Sequence, residues 1–428
     1  MLSRPFRILM AAVAAAGIAY AQAVPPAGTQ HELDVASFVY VWESIRDTHW
    51  QEAPGGLDWQ EIREEFEPRV NAAKTRDEVR TILSEMLLRL GQTHFGIIPA
   101  GLYTALSAGG GGSNVTGIDL RILDDQVLVT EVVNRSPADA AGVRPGWILT
   151  RIREEEVGPL IQAVRLNKSI PGNLLELALA SNFMRGLSGP PGATVKATFL
   201  NAEDKPVELE IPLAAPRGEI SQFGNLPPLP VFYEEKRFGD VTYVRFNAFL
   251  DLQRVIPSFQ ASVEGCEPCK GMIIDLRGNG GGIGGMAMGI AGFLISKPNQ
   301  RLGTMHMRGT DLNFVVNPRL PGFGGPVAIL MDGHSASTSE IFAGGLQDLG
   351  RARIFGTRSA AAALPSAIER LPNGDGFQHA IATYISEGGQ VLEGNGVIPD
   401  VVVELKREDL LRGVDAVLKA ALTWIETQ

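Results

Sequence analysis

The chain has 428 residues, enough for two or three domains at about 150 residues each. Hydrophobic residues make up 45%, charged residues 20% and aromatics 7%, which excludes disorder, collagen or a coiled coil for the chain as a whole. A net charge of −10 argues against nucleic-acid binding, which needs a basic face. Two cysteines cannot build a disulfide scaffold or a four-thiolate zinc site.

Residues 1–23 read as an export signal. Arg4 and Arg7 precede an apolar run from Ile8 to Ala19, which is short for a bilayer span. Ala19-Tyr20-Ala21 and Ala21-Gln22-Ala23 both have the small-x-small form of a cleavage site. An uncleaved anchor is the alternative. No later stretch is apolar enough to span, so the mature chain is expected outside the cytoplasm, in a periplasm or secreted.

Residues 31–108 are expected to form a helical domain. Phe38, Val41, Trp42 and Ile45 recur at helical spacing. Thr75 and Glu78 form a capping box ahead of a second helix, whose apolar face is Ile82, Leu83, Met86, Leu87 and Leu90. Gly91 is a suitable stop. Gly109–Ser113 is a glycine-rich link.

Residues 114–214 change to short strands: Val127–Val133, Ile148–Ile152, Val195–Leu200 and Val207–Ile211. A short helix opens at Ser136-Pro137-Ala138 and stops at Gly142. Pro227–Pro230 reads as a second linker. From 231 to 428 the pattern is α/β. Strands are expected at Val241–Phe246, Met272–Leu276, Val327–Met331, Arg353–Phe355 and Ala380–Ile385. The Met272 strand should be buried on both faces. Helices are expected from Ser337 to about Leu349 and over about 408–427.

Four features could carry chemistry. Asp332–Glu340 follows a strand and opens a helix, a place where a serine can sit beside free N–H groups and the positive helix end. Ser337-x-x-Glu340 is equally a capping box that merely starts a helix. Asp275-Leu276-Arg277-Gly278-Asn279-Gly280-Gly281-Gly282 follows a buried strand, and its glycines allow close backbone approach to a ligand. It lacks the Gly-Lys-Ser/Thr ending of a phosphate loop. His94 follows a helix stop with Thr93 beside it, and His334, three residues from Ser337, is the competing base. Cys266-Glu267-Pro268-Cys269 suits a local disulfide or two idle thiols better than redox catalysis.

Gly271–Gly282, Ser335–Gly344, Gln347-Asp348-x-Gly350-Arg351-Ala352 and Glu393-Gly394-Asn395-Gly396-Val397-x-Pro399-Asp400 occur in that order. Together they resemble the serine peptidase family that holds the tail-specific (carboxyl-terminal-processing) proteases and the tricorn core protease. Gly117-Ile118-x-Leu120, with Ser136-Pro137-Ala138-x-x-Ala141-Gly142-Val143-x-Pro145-Gly146, resembles the PDZ domain many members carry, although Trp147 stands where aspartate is usual. The resemblance implies an α/β fold: a crotonase-like (ClpP-like) peptidase core with an N-terminal helical domain and an inserted PDZ domain.

The resemblance makes Ser337 the nucleophile. The tail-specific branch has a lysine base about two dozen residues later, where this chain has Ala362 and no lysine between Lys297 and Lys406. Arg358 stays protonated and cannot accept the proton. The tricorn-like branch instead uses a histidine, a hydroxyl residue directly before it, and a late glutamate. Thr93, His94 and Glu393 fall at those motifs. The branch then implies His94 as base, Thr93 and Glu393 as its supports, and an oxyanion site of N–H groups from Thr338 and the Gly280–Gly281 turn. The PDZ loop at Gly117, Ile118 and Leu120 would capture a peptide C-terminus. No metal or cofactor is required. Asp348 is expected to serve its helix or nearby Arg351. The expected activity is hydrolysis of peptide bonds in protein tails or peptides through an acyl-enzyme. The rival is a catalytically silent PDZ scaffold that binds peptide C-termini or small ligands.

Overall fold

The computed structural model describes residues 28–101, 114–166, 174–226, 228–266 and 268–428. The expected export signal and the Gly109–Ser113 link lie outside these residues.

Three helices, Gln30–Thr48, Trp59–Ala72 and Arg76–Leu88, pack around Phe38, Val41, Trp42, Ile62, Phe66, Leu83 and Met86. The apolar spacing explains the packing, and capping explains the starts. Thr29 with Glu32, and Thr75 with Glu78, each close a reciprocal capping box. The third helix ends at Leu88, and Gly91 turns the chain at φ +62° three residues on. The chain then runs into a short strand, Gly96–Ile98.

Residues 114–214 fold around a separate core that includes Leu120, Val129, Leu149, Phe183, Val195 and Phe199. Its antiparallel sheet runs Ile118–Leu123, Gln126–Val132, Ile148–Ile152, Thr194–Leu200, Pro206–Pro212. Ser136 caps the helix Pro137–Ala140. Two longer helices, Val157–Leu166 and Leu175–Gly186, were absent from the expected pattern of strands. Leu229–Val231, placed in a linker by its prolines, pairs with Glu219–Ser221.

The remaining residues build an α/β unit on a six-stranded sheet. Its spatial order is Tyr233–Phe238, Val241–Phe246, Gly271–Asp275, Val327–Met331, Arg353–Gly356, Val401–Val402. The first pairing is antiparallel and the others are parallel. Gly271–Asp275 and Val327–Met331 are buried throughout. Helices Leu252–Glu264, Gly284–Ala291 and Thr338–Asp348 contribute to the main core on one face, while Ala421 and Ile425 of Ala416–Glu426 cover the other.

Two expected elements are split. Residues 380–385 span two strands, Gly376–Ala380 and Ala382–Ser386, which belong to different three-stranded sheets. The C-terminal helix breaks into Arg407–Leu411 and Ala416–Glu426, with Gly413 at φ +68° between them.

Candidate active site

Two neighbouring parallel strands, Gly271–Asp275 and Val327–Met331, end beside each other, and both glycine- or serine-rich turns leave from their carboxyl ends. That is where an open α/β sheet leaves a crevice. The turns are tied together by backbone contacts. Ala336 N–H donates to Asn279 O at 3.0 Å, Ser335 Oγ to Leu276 O at 2.8 Å and Ser339 Oγ to Asn279 O at 2.9 Å.

Ser337 sits at the start of the helix Thr338–Asp348 with φ +57° and ψ −120°. A non-glycine residue adopts that conformation only when its surroundings enforce it. Here the Ser337 N–H is shared by Ala362 O and Glu340 Oε2, each at 2.8 Å. Gly281 packs so closely that a Cβ would lie 2.7 Å from Ala336 O and 2.8 Å from Ser337 Cβ. Ser337 itself remains half-exposed.

Glu340 is fully buried and binds four donors: Ser337 N–H, Ser359 Oγ at 2.6 Å, Ala361 N–H at 2.9 Å and Ala362 N–H at 3.0 Å. Burial pushes its carboxyl up to about 7, against the pull of those hydrogen bonds. Sequence reading saw Glu340 only as a helix-capping residue. Its larger part, holding the 359–362 segment against the serine, depends on contacts about twenty residues away and had no local signal.

Thr93, His94 and Glu393 come together. Thr93 donates its N–H to Glu393 Oε1 and its hydroxyl to Glu393 Oε2, both at 3.0 Å. Thr93 Oγ1 is also 2.8 Å from His94 Nδ1. A hydroxyl has one proton, and it points to the carboxylate. Thr93 Oγ1 therefore accepts from Nδ1–H, which leaves the Nε2 lone pair of a neutral imidazole available. His94 is half-buried with φ +61°, and burial lowers its pKa to about 4. Burial raises the Glu393 carboxyl, and Ala363 N–H holds it at 3.0 Å.

Consecutive residues thus link the two halves. Ala362 binds the Ser337 N–H and Glu340, while Ala363 binds Glu393. Arg358 donates to the carbonyls of Gly394 and Asn395 and so fixes the turn after Glu393. Ala336, Ala360 and Ala362 form a small apolar cluster, and Leu174 and Leu177 from the 114–214 unit pack on it.

The expected oxyanion set needs a correction. Gly281 N–H donates to Asn279 Oδ1 at 2.9 Å and is not available. Among the described residues, Gly280 N–H and Thr338 N–H have no acceptor. The Asn279 side chain also bonds Phe246 O, which locks this turn.

Other candidates fall elsewhere. His334 is buried beside Arg121 and Asp332. Burial and the guanidinium charge lower its pKa to about 4. Arg121 forms a two-pronged ion pair with Asp332, whose other oxygen accepts from Gly278 and His334 N–H. Asp348 accepts the Gly388 N–H, whereas Arg351 donates to the carbonyls of Leu294 and Phe323, so the two do not serve each other. Leu120 is buried within its unit's core, and Gly117 turns at φ +84° with its carbonyl bound by Val133 N–H. Cys266 and Cys269 form a disulfide. Among the described residues no group of three or more metal-binding side chains gathers, and no helix is long and apolar enough to cross a membrane.

Residues 240–403 match the sequence model of peptidase family S41, and residues 36–88 match the tricorn protease C1 domain. The chain belongs to peptidase family S41. A carboxy-terminal-processing protease of Bartonella bacilliformis is 28% identical over 311 residues, covering 71% of this chain and 64% of that protein. The chain thus spans somewhat under two thirds of that relative. A carboxyl-terminal-processing protease of Picosynechococcus is 27% identical over 369 residues, covering 85% and 81%. The fold of this S41 member is similar to solved structures. The photosystem II D1 C-terminal processing protease gives a TM-score of 0.59 at 20% identity, over 91% of this chain and 99% of that one. Mature CPAF gives 0.66 at 13% identity, over 94% and 99%. The tricorn protease gives 0.51 at 20% identity, over 93% of this chain and 37% of that one.

Proposed function

We propose that the protein is an exported serine endopeptidase that cuts peptide bonds in protein tails or peptides through an acyl-enzyme. Ser337 is the nucleophile. His94 Nε2 takes its proton as the serine attacks, then returns it to the leaving amine. Glu393 acts through the Thr93 hydroxyl to hold the imidazole in the required tautomer and to favour the imidazolium as it forms. The backbone N–H groups of Gly280 and Thr338 receive the oxyanion, with the positive end of the Thr338–Asp348 helix behind them. The 114–214 unit is a PDZ-type module that offers the edge strand Ile118–Leu123 to an extended peptide tail, near Gly117 and Ile118.

The strongest support is the hydrogen-bonded chain from Glu393 through Thr93 to His94 Nδ1. It leaves a neutral Nε2 on a histidine whose supporting carboxylate is one residue of backbone away from the partner of Ser337. The missing lysine is consistent with it, because Ala362 offers no amine and Arg358 is spent on two carbonyls.

The test is cleavage of a mixed peptide library by the mature protein, read by mass spectrometry beside Ser337→Ala and His94→Ala. Cleavage lost in both variants supports the assignment, and the product ends give the specificity. Cleavage lost only in Ser337→Ala removes His94 as base. Peptide binding without cleavage by any form supports the silent scaffold.

A further inference from the structure

His94 belongs by chain to the helical unit, and Ser337 to the α/β unit. Each has its own core. The distance between base and nucleophile is therefore set by whatever joins the two units. Besides the Thr93–Glu393 contact at the site itself, the units are joined by the hairpin Ser366–Arg370/Gly376–Ala380, whose tip enters the helical unit. Leu371 and Phe377 are part of the helical core.

The strand Gly96–Ile98, which begins two residues after His94, pairs with this hairpin: Gly96 with Gln378, Ile97 with Phe377, Ile98 with Gly376. Three residues of pairing fix register weakly by themselves. A slip of two residues keeps every side chain on its own face and moves the strand by about 6.6 Å. That displacement is well beyond hydrogen-bond reach for a general base.

Polar contacts at the hairpin tip forbid the slip. The Asp375 side chain is fully buried. Its Oδ1 accepts from Arg80 Nη2 at 2.7 Å and from Ala100 N–H at 2.8 Å, and its Oδ2 accepts from Arg80 Nε at 2.9 Å. One carboxylate thus grips the third helix of the helical unit and the backbone two residues beyond the His94 strand. Next to it, Asn373 Nδ2 donates to Asp34 at 2.8 Å and Asn373 N–H to Ser37 Oγ at 3.0 Å.

We propose that Asp375, through Arg80 and the Ala100 N–H, is a positioning residue that sets the register of strand 96–98 and so the reach of His94 towards Ser337. This rests on His94 being the base. Neither Asp375 nor Arg80 touches substrate.

The test uses the full chain with Asp375→Asn, Arg80→Leu and a cross-linkable pair, Gly96→Cys with Gln378→Cys. Gly96 and Gln378 face each other, and a Cβ at Gly96 meets nothing within 4 Å. Opposed residues of an antiparallel pair lie within disulfide range. Arg80→Leu keeps the experiment informative if Asp375→Asn does not fold. Expected is a fall in kcat of about 100-fold with KM little changed, as for a misplaced catalytic group. Oxidation of the cysteine pair in the Arg80→Leu background should restore most of it. Hydrogen exchange at residues 94–100, measured in the Ser337→Ala background, should rise in Arg80→Leu and fall again on cross-linking. An unchanged kcat, or a lost kcat that the cross-link does not restore, overturns the proposal. If the unaltered protein cleaves nothing, the His94 assignment fails, and unchanged exchange in Arg80→Leu would overturn the register role on its own.

Discussion

A buried carboxylate, Glu340, and a half-buried one, Glu393, flank the Ala361–Ala363 segment, and they differ in what they gather. Glu340 binds Ser337, Ser359, Ala361 and Ala362, all from the α/β unit. Glu393 binds Ala363 from that unit and Thr93 from the helical unit. On the proposed reading, the nucleophile's side of the site is completed within one folding unit, and the base's side only when two units dock. Substituting Glu340 should therefore act on the fold and the serine together, and substituting Glu393 mainly on the chemistry.

The largest expected effect is that of Ser337→Ala, with kcat/KM down by about 10⁴-fold or more in a peptide-cleavage assay and melting temperature unchanged. His94→Ala should cost about 10³-fold, since the oxyanion donors stay in place. Glu393→Gln and Glu340→Gln then separate the two sides. Glu393→Gln should lower kcat about tenfold to a hundredfold, because an amide cannot favour the imidazolium. Its NH2 would also meet a donor, but the side chain is only half-buried, so the stability loss should stay at about 1 kcal/mol. Glu340→Gln presents an amide to donors on both of its oxygens, so it should destabilise by about 2–4 kcal/mol in denaturant unfolding. Equal stability losses in the two variants would erase the contrast.

The pH profile is a finer probe. His94 has a folded pKa lowered to about 4 from an ordinary value near 6.5. Its neutral form persists well into acid, so kcat/KM should fall only as pH drops through about 4. The same shift makes the folded state bind fewer protons than the unfolded state below about 6.5, so the His94 contribution to stability is present above that value and is lost as pH falls towards 4. His94→Gln should flatten that stability loss. The smallest expected effect is that of the Cys266–Cys269 disulfide, which lies before the amino end of strand Gly271–Asp275, opposite the end that carries the site. Its four-residue loop limits the gain to about 2 kcal/mol. Replacing both cysteines by serine should lower the melting temperature slightly and leave kcat unchanged.

What could be read from sequence follows the range of the forces involved. The strand–turn–helix around Ser337, the Thr75–Glu78 capping box and the fully buried central strands are local patterns, and they are present in the structure. The pairing of Thr93 with Glu393 spans three hundred residues, and motif order suggested it where spacing could not. Asn279 taking the Gly281 N–H was invisible, because any turn with adjacent glycines offers several donors and only the folded side chain selects among them. The helices Val157–Leu166 and Leu175–Gly186 were legible in principle. Leu160, Ile161 and Val164, and Leu179 with Phe183, have helical spacing, but they lie within residues 114–214, which read as a pattern of short strands. The break at Ile381 leaves no mark in Ala380–Ile385, which contains no glycine, proline or charge.

The separate cores of the helical and α/β units also bear on timing. On the proposed reading, a chain in which only one unit has folded carries a nucleophile without a base, or a base without a nucleophile. Such a chain cannot cut itself or its unfolded neighbours while it is being made and exported. Proteolytic competence then becomes a property of the finished molecule, switched on by the last docking event and requiring no removable inhibitor.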